Sequence, residues 1–101
     1  MWVKVLDSSE LADGEMAGAQ VGELAFALFR VDGAVFATSN ICTHQYALMT
    51  DGYFDGALIE CPLHQALFDV KTGAVIEGPT DKALTCFPAE EREDGIYVRL
   101  D

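Results

Sequence analysis

The dipeptide Asp-Gly occurs five times in this chain of 101 residues, and no other feature of the sequence limits the fold as strongly. Glycine in this dipeptide readily takes the positive φ angle that a tight hairpin turn requires. No segment carries the long apolar stripe of an amphipathic helix. The sequence therefore predicts an antiparallel β protein. The five copies are Asp13-Gly14, Asp32-Gly33, Asp51-Gly52, Asp55-Gly56 and Asp94-Gly95.

The clearest predicted hairpin turns at Asp32-Gly33. Its arms are residues 24–31 and 34–38, which are rich in aromatic and aliphatic side chains with partial period-two alternation. A second turn is predicted at Glu93-Asp94-Gly95. Six further strands are predicted at residues 2–6, 16–21, 57–60, 66–70, 84–89 and 96–100.

Length and composition predict a single domain. Hydrophobic residues make up 50% of the chain, which is enough for one compact core but not for two. Proline and glycine are spread through predicted turns and do not gather in a linker. We therefore expect residues 1–101 to form one domain, and we expect this domain to be a monomer in solution.

The chain is strongly acidic, with 17 Asp and Glu residues, 6 Lys and Arg residues and a formal net charge of −11. A field of this sign disfavours nucleic acid and anionic membranes as partners. It suits either simple solubility or encounters with basic patches on other proteins. The first residues lack the basic and apolar regions of a signal peptide, and no window approaches about 18 apolar residues. We therefore expect a cytoplasmic protein that does not enter a membrane.

Two short clusters contain both histidines of the chain and two of its three cysteines. Zinc accepts two cysteines and two histidines in a tetrahedron. A Rieske-type iron–sulfur cluster uses the same four residues differently, with two cysteines on one iron and two histidines on the other. Each cluster here supplies one residue of each kind, and this mixed pairing favours the Rieske interpretation while leaving zinc open. The candidate ligands are Cys42, His44, Cys61 and His64.

The third cysteine, Cys86, lies outside both clusters. An odd number of cysteines argues against a disulfide framework. Residues 83–87 alternate like a strand, and cysteine behaves as a small hydrophobic residue in such a setting. The sequence therefore predicts that Cys86 is a buried and inert thiol.

The stretches at residues 42–52 and 61–69 resemble the Rieske-type [2Fe–2S] ferredoxins of bacterial aromatic-ring-hydroxylating dioxygenase systems. The resemblance covers essentially the whole chain, including the Asn40-Ile41 lead-in. It also includes Gly78-Pro79, which is similar to the family's proline loop over the cluster. The resemblance implies an all-β Rieske fold: an antiparallel β-sandwich base with a small inserted cluster-binding subdomain at about residues 40–81.

The resemblance also implies one [2Fe–2S] cluster. Cys42 and Cys61 would bind the buried iron through sulfur, and His44 and His64 would bind the outer iron through ring nitrogens. The chain would carry single electrons from an NAD(P)H-dependent flavoprotein reductase to a terminal non-haem iron oxygenase that acts on an aromatic compound. The alternatives are a Rieske-like small subunit of a larger redox enzyme such as nitrite reductase, and a zinc-stabilised interaction module.

Four positions separate the chain from the high-potential Rieske proteins of respiratory complexes. Ala47 and Leu63 stand where those proteins carry two additional cysteines. Ala66 and Phe68 stand where they carry Ser and Tyr hydroxyl groups near the cluster. Because fewer hydrogen bonds would stabilise the added electron, the resemblance implies a potential near the low end of the range of about −150 to +300 mV.

No catalytic residue set is visible in the sequence. Asp51, Asp55 and Asp69 are predicted to be turn or cap residues, and both histidines are assigned to the metal. The chain is therefore predicted to be an electron carrier and not an enzyme. Candidates for its docking surface are the residues beside the predicted histidine face, Gln45, Tyr46, Gln65 and Pro79.

Overall fold

The structure is a computed structural model that describes residues 1–42, 47–63, 65–78 and 82–100. Within these ranges the secondary structure consists of strands and two 3-10 turns, at Ser8–Glu10 and Met49–Asp51. None of the described segments forms a helix that is long and apolar enough to cross a membrane. The strands are β1 (Trp2–Leu6), β2 (Met16–Val21), β3 (Leu24–Val31), β4 (Ala34–Ser39), β5 (Tyr53–Phe54), β6 (Leu58–Glu60), β7 (Leu67–Asp69), β8 (Val75–Glu77), β9 (Cys86–Phe87), β10 (Ala89–Arg92) and β11 (Gly95–Arg99).

The strands form three antiparallel sheets. The terminal sheet has the order β1-β11-β10, and the central sheet has the order β2-β3-β4-β9. These two sheets pack together as the base of the fold. The small sheet, with the order β5-β6-β7-β8, lies in the chain between β4 and β9 of the central sheet. This arrangement confirms the predicted all-β fold with a sandwich base and a small inserted sheet.

The Asp32-Gly33 hairpin forms as predicted. Asp32 has a φ of 51° and Gly33 a φ of 84°, while Val31 pairs with Ala34 across the turn. Positive φ at both central residues defines the type I′ turn, whose twist matches that of the flanking strands. The turn before Gly95 also forms, because Arg92 pairs with Gly95 at the start of β11.

Strand β3 lies between two separate hydrophobic cores. On one face, Phe26 and Leu28 join a core shared with the terminal sheet, which includes Ile96 and Val98. On its other face, Ala27, Phe29 and Val31 join a core shared with the small sheet. Because both faces of β3 are covered, its apolar residues follow one another without interruption from Leu24 to Phe29. This burial explains why the sequence showed only partial alternation.

The structure corrects the predicted strand at residues 84–89. Strand β9 covers only Cys86–Phe87, and β10 begins after Pro88 and pairs with β11 in a different sheet. Proline has no N–H group to donate to a ladder, so the chain changes sheets at this point. The sequence also failed to predict the short strands β5 and β8, which are 2 and 3 residues long.

The prediction that Cys86 is buried was wrong. Phe87 packs its ring edge-on against Phe26, at 4.9 Å between centroids, and so faces the core of the base. Successive side chains of a strand point to opposite faces. Cys86 therefore faces outward and is exposed.

Arg30 joins three parts of the base through one nearly buried guanidinium group. Its Nε donates to the carbonyl oxygen of Leu11 at 2.7 Å, and one terminal nitrogen donates to the carbonyl oxygen of Gly33 at 3.1 Å. Its terminal nitrogens also donate to both carboxylate oxygens of Glu91, at 2.9 and 2.8 Å. The hydrogen bonds from Arg30, together with a weaker one from Ser8, lower the pKa of the Glu91 carboxyl group to about 2.

Replacing Glu91 with glutamine should lower the thermal unfolding midpoint at pH 7 by a few degrees, because it removes a bidentate ion pair. Since the folded-state pKa of Glu91 lies below its ordinary value of 4.5, this stabilisation is present above about pH 4.5 and is lost as the pH falls toward 2. The difference between wild type and Glu91→Gln should therefore shrink on acidification. Circular dichroism melts between pH 7 and about 2.5 test this, with the exposed Glu93→Gln as control. A constant difference across that range would contradict the assignment.

Candidate metal centre

Two loops of matching form begin at the predicted cysteine ligands. In the first loop (residues 42–47), the N–H group of Cys42 donates to the carbonyl oxygen of Ala47 at 2.9 Å. In the second loop (residues 61–66), the N–H group of Cys61 donates to the carbonyl oxygen of Ala66 at 2.8 Å. Each loop is thus closed by a backbone hydrogen bond between its first and last residues, and each places its cysteine at the base.

The two loops have different supports. The second loop directly joins β6 to β7, where Glu60 pairs with Leu67 and Ile59 pairs with Phe68. The first loop is closed below Cys42 by an isolated bridge between Ile41 and Leu48, and it leads into the 3-10 turn at Met49–Asp51. Strand pairing therefore holds the second loop, whereas the first loop depends on contacts outside regular strands.

The structure brings the two loop cysteines together. Cys42 is 4% exposed and Cys61 is fully buried, and neither forms a disulfide. Burial, followed by a hydrogen bond with the thiol of Cys42, raises the pKa of the Cys61 thiol to about 11. The N–H group of Leu63 donates to the sulfur of Cys61 and acts in the opposite direction. A pair of thiolates at this depth therefore needs a compensating positive charge, which a bound metal supplies.

His44 and His64 lie outside the residues that the structure describes. Thr43, Gln45 and Tyr46 lie outside them as well. Among the described residues, no group of three or more Cys, His, Asp or Glu side chains forms a metal site. The structure thus places the cysteine half of the predicted ligand set, and the two buried thiols fit the sulfur ligands of an iron–sulfur cluster.

The side chains below the thiol pair are apolar, and residues of the second loop beside the pair are exposed to solvent. Ala66 and Phe68 are fully buried and carry no hydroxyl group. Leu63, at 39% exposure, and Gln65, with a φ of 59°, lie at the surface. Docking candidate Gln65 is therefore accessible, whereas candidate Pro79 lies outside the described residues together with residues 80 and 81.

Gly78 crosses close to the base of the second loop. A Cβ atom on Gly78 would lie 2.6 Å from the Cα atom of Ala66, and the φ of Gly78 is +128°. Only glycine meets both conditions. The segment that leads to Pro79 therefore lies against the second loop.

The three aspartates that the sequence assigned to turns have that role in the described structure. Asp55 Oδ1 accepts hydrogen bonds from the N–H groups of Ala57 and Leu58, at 2.9 and 2.7 Å. Asp69 Oδ1 accepts one from the N–H group of Lys71 at 2.8 Å. Asp51 ends the 3-10 turn that follows the first loop.

Sequence reasoning missed two residues that support the site. Asn40 is 5% exposed and bonds to Thr50, although the sequence offered it only as part of the lead-in to the first cluster. Gly52 has a φ of −91°, so the positive-φ explanation of its Asp-Gly pair does not apply. Gly52 is required for another reason, because a Cβ atom there would lie 1.9 Å from the carbonyl oxygen of Glu60.

A model of the Rieske [2Fe-2S] domain family matches residues 1–88. Together with the all-β fold and the buried thiol pair, this match shows that the chain belongs to the Rieske [2Fe-2S] domain family. One [2Fe–2S] cluster of the Rieske type is accordingly its cofactor.

Within this family the chain is similar to ferredoxins. It is 39% identical to the ferredoxin component of the naphthalene 1,2-dioxygenase system of Pseudomonas putida, over 99% of this chain and 94% of that one. The structure of a ferredoxin from Sphingomonas yanoikuyae B1 matches with a TM-score of 0.88 and 35% identity, over 100% of this chain and 98% of that chain. A chain in the complex of reduced oxygenase and oxidized ferredoxin in carbazole 1,9a-dioxygenase matches with a TM-score of 0.88 and 34% identity, over 99% and 97% of the two chains.

These similarities define the chain as a Rieske ferredoxin of the kind found in aromatic dioxygenase systems. Its relatives are named as ferredoxin components, so it is an electron carrier and not a catalyst. The matches do not favour the nitrite reductase small subunit or the zinc module as alternatives.

Proposed function

We propose that this ferredoxin passes single electrons from an NAD(P)H-dependent flavoprotein reductase to a terminal non-haem iron oxygenase that acts on an aromatic compound. The main structural observation in support of this proposal is the pair of buried thiols, Cys42 and Cys61, at the bases of two matching loops. The proposal is supported by the similarity to ferredoxin components of dioxygenase systems along nearly the whole chain. When bound, a [2Fe–2S] cluster supplies reversible one-electron chemistry.

The proposed ligands are Cys42, His44, Cys61 and His64. The two buried thiols would hold the inner iron, and the two histidines would hold the outer iron. Each histidine follows its cysteine within the same loop, so one loop supplies one ligand of each kind. We further propose one domain over residues 1–101, with the cluster-binding part at about residues 40–81.

The environment of the second loop supports a low reduction potential. Hydrogen bonds from protein groups to a reduced cluster stabilise the added electron and raise the potential. The buried side chains of Ala66 and Phe68 have no donor to offer, and the N–H group of Leu63 donates to the sulfur of Cys61. A low potential suits a carrier between a flavin and an oxygen-activating iron site.

The proposed partners approach the exposed side of the second loop, where Leu63 and Gln65 reach solvent. The net charge of −11 would attract basic surfaces on the reductase and the oxygenase over several ångströms. We propose that the carrier is a cytoplasmic monomer that meets each partner in turn and binds neither nucleic acid nor membranes.

Reconstitution tests this function. The purified protein should be red-brown and, after reduction, should give a Rieske-type electron paramagnetic resonance signal with a low average g value. With NADH, a flavoprotein reductase and a terminal oxygenase of an aromatic dioxygenase system, product should form only when the ferredoxin is added. The rate should fall as salt is raised from 20 to 500 mM, since salt screens steering charges. A colourless protein containing one zinc ion, or turnover that is independent of the ferredoxin, would contradict the proposal.

Replacing His64 with cysteine tests the histidine assignment. A third thiolate adds negative charge to the cluster, so the midpoint potential should fall and the reduced spectrum should move away from the mixed-ligand type. Potentiometric titration followed by electron paramagnetic resonance measures both quantities. Replacing the exposed neighbour Gln65 with alanine is the control and should change neither. An unchanged spectrum and potential in His64→Cys would exclude His64 as a ligand.

A further inference from the structure

Asn40 lies two residues before the first loop, and each of its polar atoms takes part in a hydrogen bond. Its N–H group donates to the carbonyl oxygen of Ala25 at 2.9 Å, and its carbonyl oxygen accepts from the N–H group of Met49 at 2.7 Å. Its side-chain Oδ1 accepts from the N–H group of Thr50 at 2.9 Å, and its Nδ2 donates to Thr50 Oγ1 at 3.0 Å. The backbone N–H group of Thr50 can only donate, which fixes the orientation of the Asn40 amide.

These contacts make a clamp across the first loop. The residues between Asn40 and Thr50 include Cys42 and His44, so the Asn40 amide bonds hold the two ends of this segment together. Asn40 also ties the segment to the start of β3 through its bond to Ala25. The backbone of Asn40 thereby attaches the first loop to the central sheet, and its side chain joins the two ends of the segment.

The second loop does not depend on a side-chain clamp of this kind. Strands β6 and β7 pair directly below it over three residue pairs, Leu58 with Asp69, Ile59 with Phe68 and Glu60 with Leu67. The two halves of the thiol pair are therefore held by different means. A change at Asn40 would displace the first loop relative to the second, which would alter the relation between Cys42 and Cys61.

We propose that Asn40 is a positioning residue for electron transfer, acting through Thr50 to fix the first ligand loop and thereby the potential and geometry of the cluster. This inference rests on the proposed assignment of Cys42 as a ligand. A buried amide is well suited to the role, because removal of one partner leaves the other without a hydrogen bond in the protein interior. It also adds no charge near the metal, so it restrains the loop without itself lowering the potential.

The test compares Asn40→Ala, Thr50→Val and Thr50→Ser in the cluster-loaded protein. Asn40→Ala removes both side-chain bonds and should broaden the electron paramagnetic resonance lines, shift the midpoint potential and speed hydrogen exchange at the Met49 and Thr50 amides about tenfold or more. Thr50→Val removes only the hydroxyl acceptor and should produce a smaller change of the same kind. Thr50→Ser keeps the hydroxyl and should behave like the wild type. If Asn40→Ala does not fold, the Thr50 pair still decides the question.

Asp55→Ala provides the matched control. Like the Asn40 side chain, the Asp55 side chain takes part in two hydrogen bonds, but it accepts both of them, from the N–H groups of Ala57 and Leu58 at a turn outside both loops. It should lower stability while leaving the spectrum and the potential unchanged. Equal spectral shifts in Asp55→Ala and Asn40→Ala, or a wild-type spectrum, potential and exchange rate in Asn40→Ala and Thr50→Val, would overturn the positioning role. A wild-type protein without a Rieske signal would instead refute the proposed function.

Discussion

Replacing Cys61 with alanine should remove nearly all iron, visible absorption and electron paramagnetic resonance signal from the purified protein. Cys61 is fully buried, shares a hydrogen bond with Cys42 and begins the second loop, so the alanine variant leaves the proposed inner iron with one sulfur ligand from the protein. Because bound metal adds to the free energy of folding, the same variant should unfold at a markedly lower temperature. Iron analysis, spectroscopy and calorimetry measure these effects, and Cys42→Ala should reproduce them.

Cys86→Ala is the matched control for the cysteine variants. The same chemical change at the exposed third cysteine should leave iron content and spectrum at wild-type values. If all three alanine variants lost the cluster equally, the loss would reflect general damage and not the removal of ligands. If Cys61→Ala kept a full Rieske signal, the assignment of Cys61 would be wrong.

Replacing Gly52 with alanine should destabilise the protein by about 1–3 kcal/mol and lower its cluster content. The new Cβ atom would lie 1.9 Å from the carbonyl oxygen of Glu60, which precedes Cys61. The backbone φ of Gly52 suits any residue, so the loss of stability arises entirely from this close approach. Relief requires the segment after the first loop to move away from the start of the second, which separates the two thiols. Denaturant unfolding and the iron-to-protein ratio test the two effects.

Gly56→Ala separates a loss of stability from damage to the site. Gly56 has a φ of +101°, but a Cβ atom there would meet no other atom within 4 Å. Alanine should therefore cost about 1–2 kcal/mol through backbone strain alone, while the cluster stays fully loaded. A comparable loss of iron in Gly56→Ala would show that cluster content merely follows stability, against the specific role given to Gly52.

The parts of the fold that the sequence predicted are those fixed by local chemistry. The hairpin through Asp32-Gly33 needs two positive φ angles next to each other and two apolar arms, and all of these features are visible in the residues themselves. The short strands β5 and β8 left no such signal in their own residues. Their positions are set by packing against neighbouring strands.

The candidate site likewise contains some residues that the local sequence predicts and others whose roles depend on the fold. Cys42 and Cys61 were predicted from residue type and spacing, since few other side chains bind soft metals. The roles of Asn40 and Gly52 depend on contacts with Thr50 and Glu60, which only the fold brings near. Cys86 was misplaced for a related reason: alternation identifies two faces of a strand but does not say which one is covered.

The position of β3 between two cores bears on how this protein could be re-engineered. A segment that spans both ligand loops has the form of a cassette that could be grafted onto another scaffold. However, its core is completed by Ala27, Phe29 and Val31, which belong to β3. The opposite face of the same strand completes the core of the base through Phe26 and Leu28. A transplant of the loops alone would leave an open apolar face on both donor and graft, so the smallest transferable unit must include β3.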